Sequence, residues 1–326
     1  MPKKINILVT GGAGYIGSHV CKILFLNNFI PITYDDLSTG NKDFVKWGPL
    51  IIGNILDQEK IIKVIKKFKI RAVVHLAAKS QVEESDKKFE YYFHNNVTGT
   101  INLLEAMKKC SVHKIIFSST ASVYGGKTKG TIKEINQLSP TNSYGLTKLY
   151  CENLIIHFAK TFALDYVILR YFNAAGSDYK SNIGELRDPE THLIPKLSEQ
   201  MLKNKTIYVY GDQYDTADGT CIRDFIHVND IAIAHKICLR YILQKNIKKI
   251  YNLGTGKGYS VLEIVKLYQK ILNRSPKVRI AKKRERDPEK LVADPSMFKK
   301  EFNWTPLHSN IKNIIESEIY WRQMNI

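Results

Sequence analysis

The sequence is poor in cysteine, and it has no apolar run long enough to cross a membrane. Its five cysteines are odd in number and widely spaced, and they lack the C-x2-C pattern of metal sites. Such cysteines are typical of reduced thiols, and we find no metal-ligand pattern. The apolar stretch that precedes Gly11 is too short for a signal peptide. We therefore predict a cytoplasmic protein that has no bound metal and no membrane partner.

Acidic residues are also scarce. The 326 residues include 31 acidic and 49 basic side chains, which gives a net charge of +18. The lysines are spread over the polar faces of amphipathic segments, and the densest basic cluster, 282–286, contains an acid and no aromatic residue. We therefore expect a solvated basic surface and no nucleic-acid partner. A small anionic substrate would be attracted by this charge.

A glycine-rich turn follows the first apolar segment. Residues 4–10 predict a buried strand, and Gly11, Gly14 and Gly17 separate it from a segment with helical periodicity. In this context glycines allow a tight turn and let a pyrophosphate approach the helix N-terminus. The spacing is G-x-x-G-x-x-G, and it predicts a dinucleotide site that includes Tyr15 and Ile16.

Two acidic residues, Asp35 and Asp36, end the next predicted strand, about twenty residues further along the chain. A carboxylate at this place accepts hydrogen bonds from the adenosine ribose and repels a 2′-phosphate. The sequence therefore favours NAD over NADP as the cofactor.

Strands and helices continue to alternate as far as residue 171. This pattern predicts an α/β fold with a Rossmann-type, doubly wound parallel sheet that binds NAD, and a smaller C-terminal α/β domain for the substrate. We assign residues 1–172 to the NAD-binding domain, which the chain rejoins at about 224–254. Residues 173–223 and 255–326 are assigned to the substrate domain.

Polar residues with catalytic potential follow in order. Ser118 and Thr120 end a predicted strand, where ligands of open α/β sheets bind. Tyr144 and Lys148 are four residues apart and so share one face of a predicted helix. A nearby ammonium lowers the pKa of a phenol, which makes the tyrosine usable for proton transfer. These residues predict a proton-coupled hydride transfer with Tyr144, Lys148 and Thr120 as the catalytic group.

With these motifs the chain resembles the extended short-chain dehydrogenases/reductases and, more narrowly, the UDP-glucose 4-epimerases. The resemblance covers essentially the whole chain. Its motifs are Thr10–His19, Phe117–Gly125, Tyr144–Lys148, Leu169–Asn173, Asp218–Val228 and Tyr251–Gly256. The first and third mark the superfamily, whereas Leu169–Asn173 and Asp218–Val228 are more specific to sugar-nucleotide epimerases.

The resemblance implies a reversible inversion at carbon 4 of a UDP-hexose through a 4-keto intermediate and a tightly bound NAD. It also implies a homodimer and a role in galactose metabolism. The implied cofactor contacts, besides those already named, are Asn54, Ile55, Leu76, Ala77, Ala78, Asn95 and Tyr171. The implied substrate contacts, besides Thr120 and Tyr144, are Asn173, His192, Leu193, Tyr208, Tyr210, Arg223, Arg284 and Asp287.

Several positions depart from the family pattern. Asn54 replaces an aspartate that contacts adenine, Ser80 replaces a lysine of some members, and Glu83 replaces a common glycine. Leu291 occupies the position where a bulky residue excludes N-acetylated hexoses and a small one admits them. Leucine is intermediate, so a UDP-N-acetylglucosamine 4-epimerase or an enzyme of dual specificity stays open as an alternative.

The sequence also bears on other reactions of this scaffold. A nucleotide-sugar 4,6-dehydratase needs an acidic pair after the catalytic threonine, but here Ala121 and Ser122 follow Thr120. An epimerase or decarboxylase of sugar acids has no specific signature here, although the sequence leaves it open. A non-catalytic NAD-sensing protein commonly lacks the tyrosine or the lysine, and this chain has both Tyr144 and Lys148.

Overall fold

The chain begins with a strand in the middle of a sheet and adds strands to both of its sides. We describe a computed structural model, in which residues 4–126, 130–284 and 287–325 can be described. The strands are β1 (Ile5–Thr10), β2 (Phe29–Asp35), β3 (Leu50–Ile52), β4 (Ala72–His75), β5 (Lys114–Thr120), β6 (Asp165–Tyr171), β7 (Asn173–Ala175), β8 (Ile207–Tyr210), β9 (Ile222–His227), β10 (Lys248–Leu253), β11 (Gly258–Ser260), β12 (Val278–Ala281) and β13 (Lys290–Leu291).

The α-helices connect these strands. They are α1 (Tyr15–Leu26), α2 (Gln58–Phe68), α3 (Val82–Lys87), α4 (Phe89–Phe93), α5 (Gly99–Lys109), α6 (Ser143–Thr161), α7 (Leu193–Leu202), α8 (Val228–Gln244), α9 (Val261–Leu272), α10 (Ser296–Phe302) and α11 (Ile311–Asn325). Within the described residues, no helix has both the length and the apolar composition needed to cross a membrane.

The chain forms two compact units, which we call unit 1 and unit 2. Unit 1 comprises residues 1–123, 140–170 and 231–251, and unit 2 comprises 124–139, 171–230 and 252–326. The sequence assigned 124–139 to the first domain. In the structure the backbone N–H of Ile132 donates to Val292 O (2.8 Å), and Tyr124 Oη donates to Asn252 Oδ1 (2.7 Å). These long-range bonds, which no local pattern encodes, join 124–139 to unit 2.

The seven-stranded sheet has the order β10-β6-β5-β4-β1-β2-β3. β1 pairs in parallel with β2 on one side and with β4 on the other. The order of the strands reverses between β1 and β4, so the sheet has a topological switch point there. In open α/β sheets, ligands bind outside the carboxyl ends of the strands at such a point. The doubly wound α/β fold predicted from the sequence is confirmed.

Each unit has its own hydrophobic core. In unit 1, apolar residues of β1, β2, β4, β5 and β6 pack against those of α2, α5 and α6. In unit 2, Phe225 of β9 packs in a cluster with residues of α7, α9 and α11, including Ile194, Ile264 and Ile315. Each of these two clusters therefore consists of residues from one unit.

Two local features do not follow from the pattern of the sequence. A π-helical turn at His94–Thr98 lies between α4 and α5. The segment 173–218, which follows the regular alternation of strands and helices, contains α7. Pro195 is compatible with α7 because it lies in the first turn, where a backbone N–H has no partner within the helix.

Candidate active site

The glycine turn joins β1 to α1 at the switch point. Gly11 has a φ of +74°, and a Cβ placed there would lie 2.6 Å from the backbone N of Ala77, so only glycine fits. A Cβ on Gly17 would lie 2.0 Å from Gly11 O. The turn and the end of β4 are therefore packed backbone against backbone. Tyr15 and Ile16, both partly exposed, begin α1.

Asp35, at the end of β2, accepts hydrogen bonds from two backbone N–H groups. The N–H of Ala13 donates to its Oδ2 (3.0 Å) and the N–H of Leu37 to its Oδ1 (2.9 Å). Burial raises the pKa of Asp35, and these two bonds oppose that rise. The carboxylate thereby links the glycine turn to the segment after β2.

The second acid, Asp36, is more exposed and contacts Asn54. Asn54 Nδ2 donates to Asp36 Oδ2 (2.9 Å), so this departure from the family pattern places an amide next to a carboxylate that is predicted to bind the ribose.

Ile55 belongs to the hydrophobic core of unit 1, and a Cβ on Gly99 would lie 2.6 Å from it. Leu76, Ala77 and Ala78 follow β4 and are partly exposed.

The π-helical turn contains Asn95 and Asn96. Both are buried, and Asn95 Nδ2 donates to Asn96 Oδ1 (3.0 Å). Asn96 Nδ2 in turn donates to Lys79 O (3.0 Å) and to Thr147 Oγ1 (3.1 Å). The turn is therefore tied to α6, the helix of the Tyr-x-x-x-Lys motif.

Tyr144 lies in the first turn of α6. The side chain of Asn142 caps this helix by accepting from the N–H of Gly145 (2.8 Å), and Ser85 Oγ accepts from the N–H of Tyr144 (3.0 Å). A Cβ on Gly145 would lie 2.6 Å from Ser122 O. The first turn of α6 thus packs against the segment that follows Thr120.

Lys148 is almost completely buried one turn further along α6. Its Nζ lies 4.5 Å from the centre of the Phe117 ring. Burial lowers the pKa of Lys148 to about 8, although Cys151 and Glu152 partly oppose the shift. A buried cation on the same helix face as Tyr144 can stabilise a phenolate there.

The end of β5 carries three hydroxyl residues with different partners. Thr120 Oγ1 accepts from the N–H of Ser122 (3.1 Å) and is partly exposed. Ser118 is buried, with its Oγ 3.5 Å from His235 Nε2, and Ser119 Oγ donates to Glu152. Of the three, Thr120 is the residue that is not buried, and its hydroxyl also donates to Ser122 Oγ (3.2 Å).

Unit 2 contains a second group of predicted site residues. Arg223, buried on β9, donates from Nη1 to Ile222 O (2.8 Å) and from Nη2 to Asp287 Oδ1. The guanidinium of Arg284 lies over the Tyr210 ring, 4.4 Å from its centre. Four of the predicted substrate contacts therefore interact in two pairs, Arg223 with Asp287 and Arg284 with Tyr210.

Glu285 and Arg286, part of the basic cluster at 282–286, lie outside the described residues.

The other predicted substrate contacts of unit 2 are more dispersed. Asn173 is exposed at the start of β7, and Tyr208 is exposed on β8. Tyr171, which is a predicted cofactor contact, is buried at the end of β6. His192 is the N-cap residue of α7, which begins at Leu193; its side chain makes no capping hydrogen bond and is 43% exposed.

His192 Nδ1 lies 2.9 Å from Glu185 Oε1, and the N–H of His192 donates to Glu190 Oε1 (3.0 Å). These three residues offer donor atoms within 4.8 Å of one another. Arg187 and Arg322 form ion pairs with Glu185 (2.8 Å) and Glu190 (2.9 Å), so the carboxylates already have cationic partners. The cluster is an ion-pair network that fixes the start of α7.

The family model of the NAD dependent epimerase/dehydratase family matches residues 7–254. The chain belongs to this family. It is 41% identical to the UDP-glucose 4-epimerase of Rhizobium meliloti (strain 1021), over 97% of this chain and 96% of the relative. The sequence-based prediction of an NAD-dependent epimerase is confirmed.

Solved structures of family members agree closely with this epimerase. The UDP-glucose 4-epimerase of Brucella ovis, in complex with NAD, has a TM-score of 0.93 and 40% identity, with 97% of each chain covered. That of Bifidobacterium longum, in complex with NAD+ and UDP, has a TM-score of 0.93 and 34% identity, with 98% of each chain covered.

Unit 1 of the epimerase has the features that NAD requires. The N-cap residue of α1, Gly14, makes no side-chain cap, and the first turn of α1 has no acidic residue. The helix N-terminus is therefore suited to a pyrophosphate. The carboxylates of Asp35 and Asp36 at the end of β2 suit the ribose hydroxyls. NAD is the cofactor of the epimerase.

Sequence reasoning missed an acidic residue that follows the Tyr-x-x-x-Lys motif on the same helix. Glu152 is buried on α6 and forms an ion pair with Arg170, whose Nη2 lies 2.6 Å from Glu152 Oε2. The available signal was spacing, because Tyr144, Lys148 and Glu152 recur every four residues on one helix face. A charged residue on the inward face of a helix seldom lacks a partner.

Proposed function

We propose that the epimerase interconverts UDP-galactose and UDP-glucose reversibly by inverting carbon 4 of the hexose. Its role is in galactose metabolism and in the supply of UDP-galactose for surface glycans. One observation carries the proposal: a buried ammonium, that of Lys148, lies one helical turn from Tyr144 on a helix that packs against the Thr120 segment. This arrangement suits proton transfer to and from a sugar hydroxyl.

In this proposal the side chains of unit 1 handle the proton. The Tyr144 phenolate accepts the proton of the 4-hydroxyl, and the Lys148 ammonium stabilises that phenolate. The Thr120 hydroxyl hydrogen-bonds the reacting oxygen. When bound, NAD would supply a reversible acceptor for the hydride from carbon 4 of the hexose. The 4-keto sugar then turns its other face to the site, and the return of both hydrogens gives the inverted alcohol, so there is no net redox change.

The side chains of unit 2 bind the UDP moiety in this proposal. Arg223 and Arg284 contact the diphosphate, since planar guanidinium groups suit bidentate contacts with phosphate. Asp287 contacts the ribose, and Tyr208 and Tyr210 the uridine. The remaining contacts to the UDP-sugar are Asn173, His192 and Leu193. Support comes from the Arg223–Asp287 and Arg284–Tyr210 pairs, which hold both guanidinium groups in fixed positions.

The state of the protein in the cell is proposed on family grounds. We expect a homodimer that forms through helices of unit 1, and a location in the cytoplasm. The five cysteines, all within the described residues, form no disulfide. Gel filtration with light scattering would determine the number of subunits.

The first test is incubation of the purified protein with UDP-galactose, without added cofactor, while UDP-glucose is measured. We expect conversion toward UDP-glucose, which would also indicate NAD retained through purification. Absence of conversion even with NAD supplied would contradict the proposal, and exchangeable NAD without turnover would indicate an NAD-sensing protein. UDP-N-acetylgalactosamine, assayed in parallel, tests the substrate range that buried Leu291 leaves open.

A further inference from the structure

Three buried polar residues of unit 1 form a network behind the Tyr-x-x-x-Lys motif. Ser119 Oγ donates to Glu152 Oε1, as does Arg170 Nε (3.0 Å), while Arg170 Nη2 donates to Glu152 Oε2 (2.6 Å). All three residues are at most 2% exposed. Each comes from an element that carries a proposed site residue: Ser119 precedes Thr120 on β5, Glu152 follows Lys148 on α6, and Arg170 precedes Tyr171 on β6.

The charges of this network are balanced, and those of the active-site pair are not. Glu152 and Arg170 carry opposite charges and pair through two hydrogen bonds. Lys148, one turn away and 3% exposed, adds a second buried cation. The three charges sum to one positive charge in the interior of unit 1, a setting that favours an anion at Tyr144.

We propose that Glu152 and Arg170 are a positioning pair, which holds the Thr120 end of β5 against α6 and sets the buried charge that Lys148 and Tyr144 experience. This inference rests on the proposed function for its kinetic readout only. Glu152 is one of two groups that oppose the lowering of the Lys148 pKa by burial. With Glu152 paired to Arg170, the ammonium of Lys148 remains available to the Tyr144 phenolate.

Other titratable groups face this helix from neighbouring elements. His75 of β4 interacts electrostatically with Lys148, and burial lowers the His75 pKa to about 3, so the ring is neutral. Tyr166 of β6 interacts with Glu152, and burial raises its pKa. Cys151 is a buried thiol with a raised pKa. Asp86 Oδ1 accepts from the N–H of Ser143 (2.8 Å) at the start of α6.

These surroundings identify the pair's contribution as electrostatic. Each of the three side chains is uncharged at neutral pH, and Asp86 lies at the far end of the motif from Glu152. Among the described groups named here, the charges along this stretch of α6 are therefore those of Lys148, Glu152 and Arg170. A substitution that removes the charge of Glu152 or of Arg170 changes the net charge, and removal of both restores it.

The test compares the pH profile of UDP-galactose turnover in four proteins. These are the wild type, Glu152→Gln, the double variant Glu152→Gln/Arg170→Met, and Ser119→Ala. Because Tyr144 and Lys148 are coupled, the apparent pKa values belong to the pair. Glu152→Gln removes a negative charge about two helical turns from Tyr144. The Tyr144–Lys148 pair then gives up a proton more easily, so the apparent pKa values of the profile should fall by on the order of one pH unit.

The double variant separates charge from structure. It lacks both charges and the hydrogen bonds between them, and replacement of a buried ion pair by neutral groups is commonly tolerated. We expect its profile to return toward that of the wild type, even if its turnover is lower. Ser119→Ala removes a hydrogen bond and no charge, so it should leave the profile where it is. A network with a structural role alone would give no such pattern.

A second readout does not require turnover. The ultraviolet absorbance of tyrosinate, measured as the difference between each protein and its Tyr144→Phe counterpart, gives the apparent pKa of Tyr144 directly. We expect the apparent pKa of Tyr144 to be lowered in Glu152→Gln, to return toward the wild-type value in the double variant, and to stay unchanged in Ser119→Ala. An unshifted Tyr144 in Glu152→Gln would overturn the inference. If that variant does not fold, Arg170→Met is used, which leaves the carboxylate uncompensated and should shift the titration up; no shift there would overturn it equally.

The two proposals fail in distinguishable ways. If the wild type shows no turnover of UDP-galactose, the proposed function fails, and the absorbance titration still tests the positioning pair. If the wild type is active and neither readout shifts, the inference about Glu152 and Arg170 fails and the proposed function stands.

Discussion

The two units hold their predicted site residues in different ways. In unit 1 the charged residues Lys148, Glu152 and Arg170 are almost completely buried and interact with one another. In unit 2 the side chain of His192 is 43% exposed, and that of Asp287, which pairs with Arg223, is 25% exposed. Burial changes the proton affinity of a group, whereas contacts to a bound phosphate need donors that the ligand can reach. The contrast agrees with the proposal that unit 1 carries out proton transfer and unit 2 binds the UDP moiety.

The largest effect should come from Tyr144→Phe, which removes the proposed proton acceptor of unit 1. Turnover of UDP-galactose should fall by roughly 10²- to 10⁴-fold, the typical contribution of a positioned acid–base group. The melting temperature should stay close to that of the wild type. Tyr150→Phe, on the same helix at an exposed position, is the matched control. Full turnover in the Tyr144 variant would contradict the assignment.

The burial of Lys148 should be visible in stability as well as in activity. Its pKa of about 8 in the folded protein lies below the ordinary value of 10.5. The unfolded chain therefore binds more protons between these pH values, and the free energy of unfolding rises with pH across that window. Below pH 8 Lys148 is charged in the folded protein, and the full free-energy cost of burying that charge applies. Lys148→Met should therefore be more stable than the wild type by about 3 kcal/mol at pH 7.

Denaturant unfolding of both proteins from pH 7 to 10.5 checks this prediction. The stability difference should close as the pH rises toward 10.5, while the variant turns over substrate much more slowly. Lys160→Met, at an exposed position of the same helix, should show neither effect. Equal stability of Lys148→Met and the wild type at pH 7 would mean that Lys148 is not desolvated.

A substitution in unit 2 should affect binding more than chemistry. Arg223→Met removes a proposed phosphate contact, and hydrogen bonds of charged groups contribute about 1.5–3 kcal/mol, so the KM for UDP-galactose should rise by roughly 10- to 150-fold. The value of kcat should change much less. Arg279→Met, an exposed arginine of β12, serves as the control. If kcat fell and KM stayed unchanged, Arg223 would not act in substrate binding, and the proposed difference between the two units would be contradicted.

The smallest effect should come from Asp35→Asn in the predicted cofactor site of unit 1. An amide cannot accept from both the Ala13 and the Leu37 N–H groups as a carboxylate does, so the turn should loosen. We expect NAD affinity to fall about tenfold, equivalent to about one hydrogen bond. NAD content after dialysis measures it, with exposed Asp43→Asn as control. Unchanged retention would argue against the ribose role.

Features with a local cause could be predicted from the sequence. The strand, glycine turn and helix at the start of the chain follow from apolar periodicity and from the demand for glycine at Gly11, where φ is +74°. The Tyr144–Lys148 spacing defines a shared helix face wherever a helix forms. The alternation of strands and helices likewise predicted the doubly wound sheet, which the structure has.

Features that depend on distant residues could not be predicted in this way. The π-helical turn at His94–Thr98 interrupts a helix whose sequence carries no glycine or proline there. The segment 124–139 belongs to unit 2 because of bonds such as that from Ile132 to Val292, about 160 residues away in the chain. Pairing energies of this kind exist only once the chain has folded.

By itself, the sequence determined the order of the motifs, the class of the fold and the residue types available for chemistry, because each follows from neighbours along the chain. Only the tertiary structure decided which of those residues are buried together. Ser119, Glu152 and Arg170 lie far apart in sequence and meet between β5, β6 and α6. Burial there, and not the identity of the lysine, lowers the Lys148 pKa to about 8, because desolvation penalises its charged form.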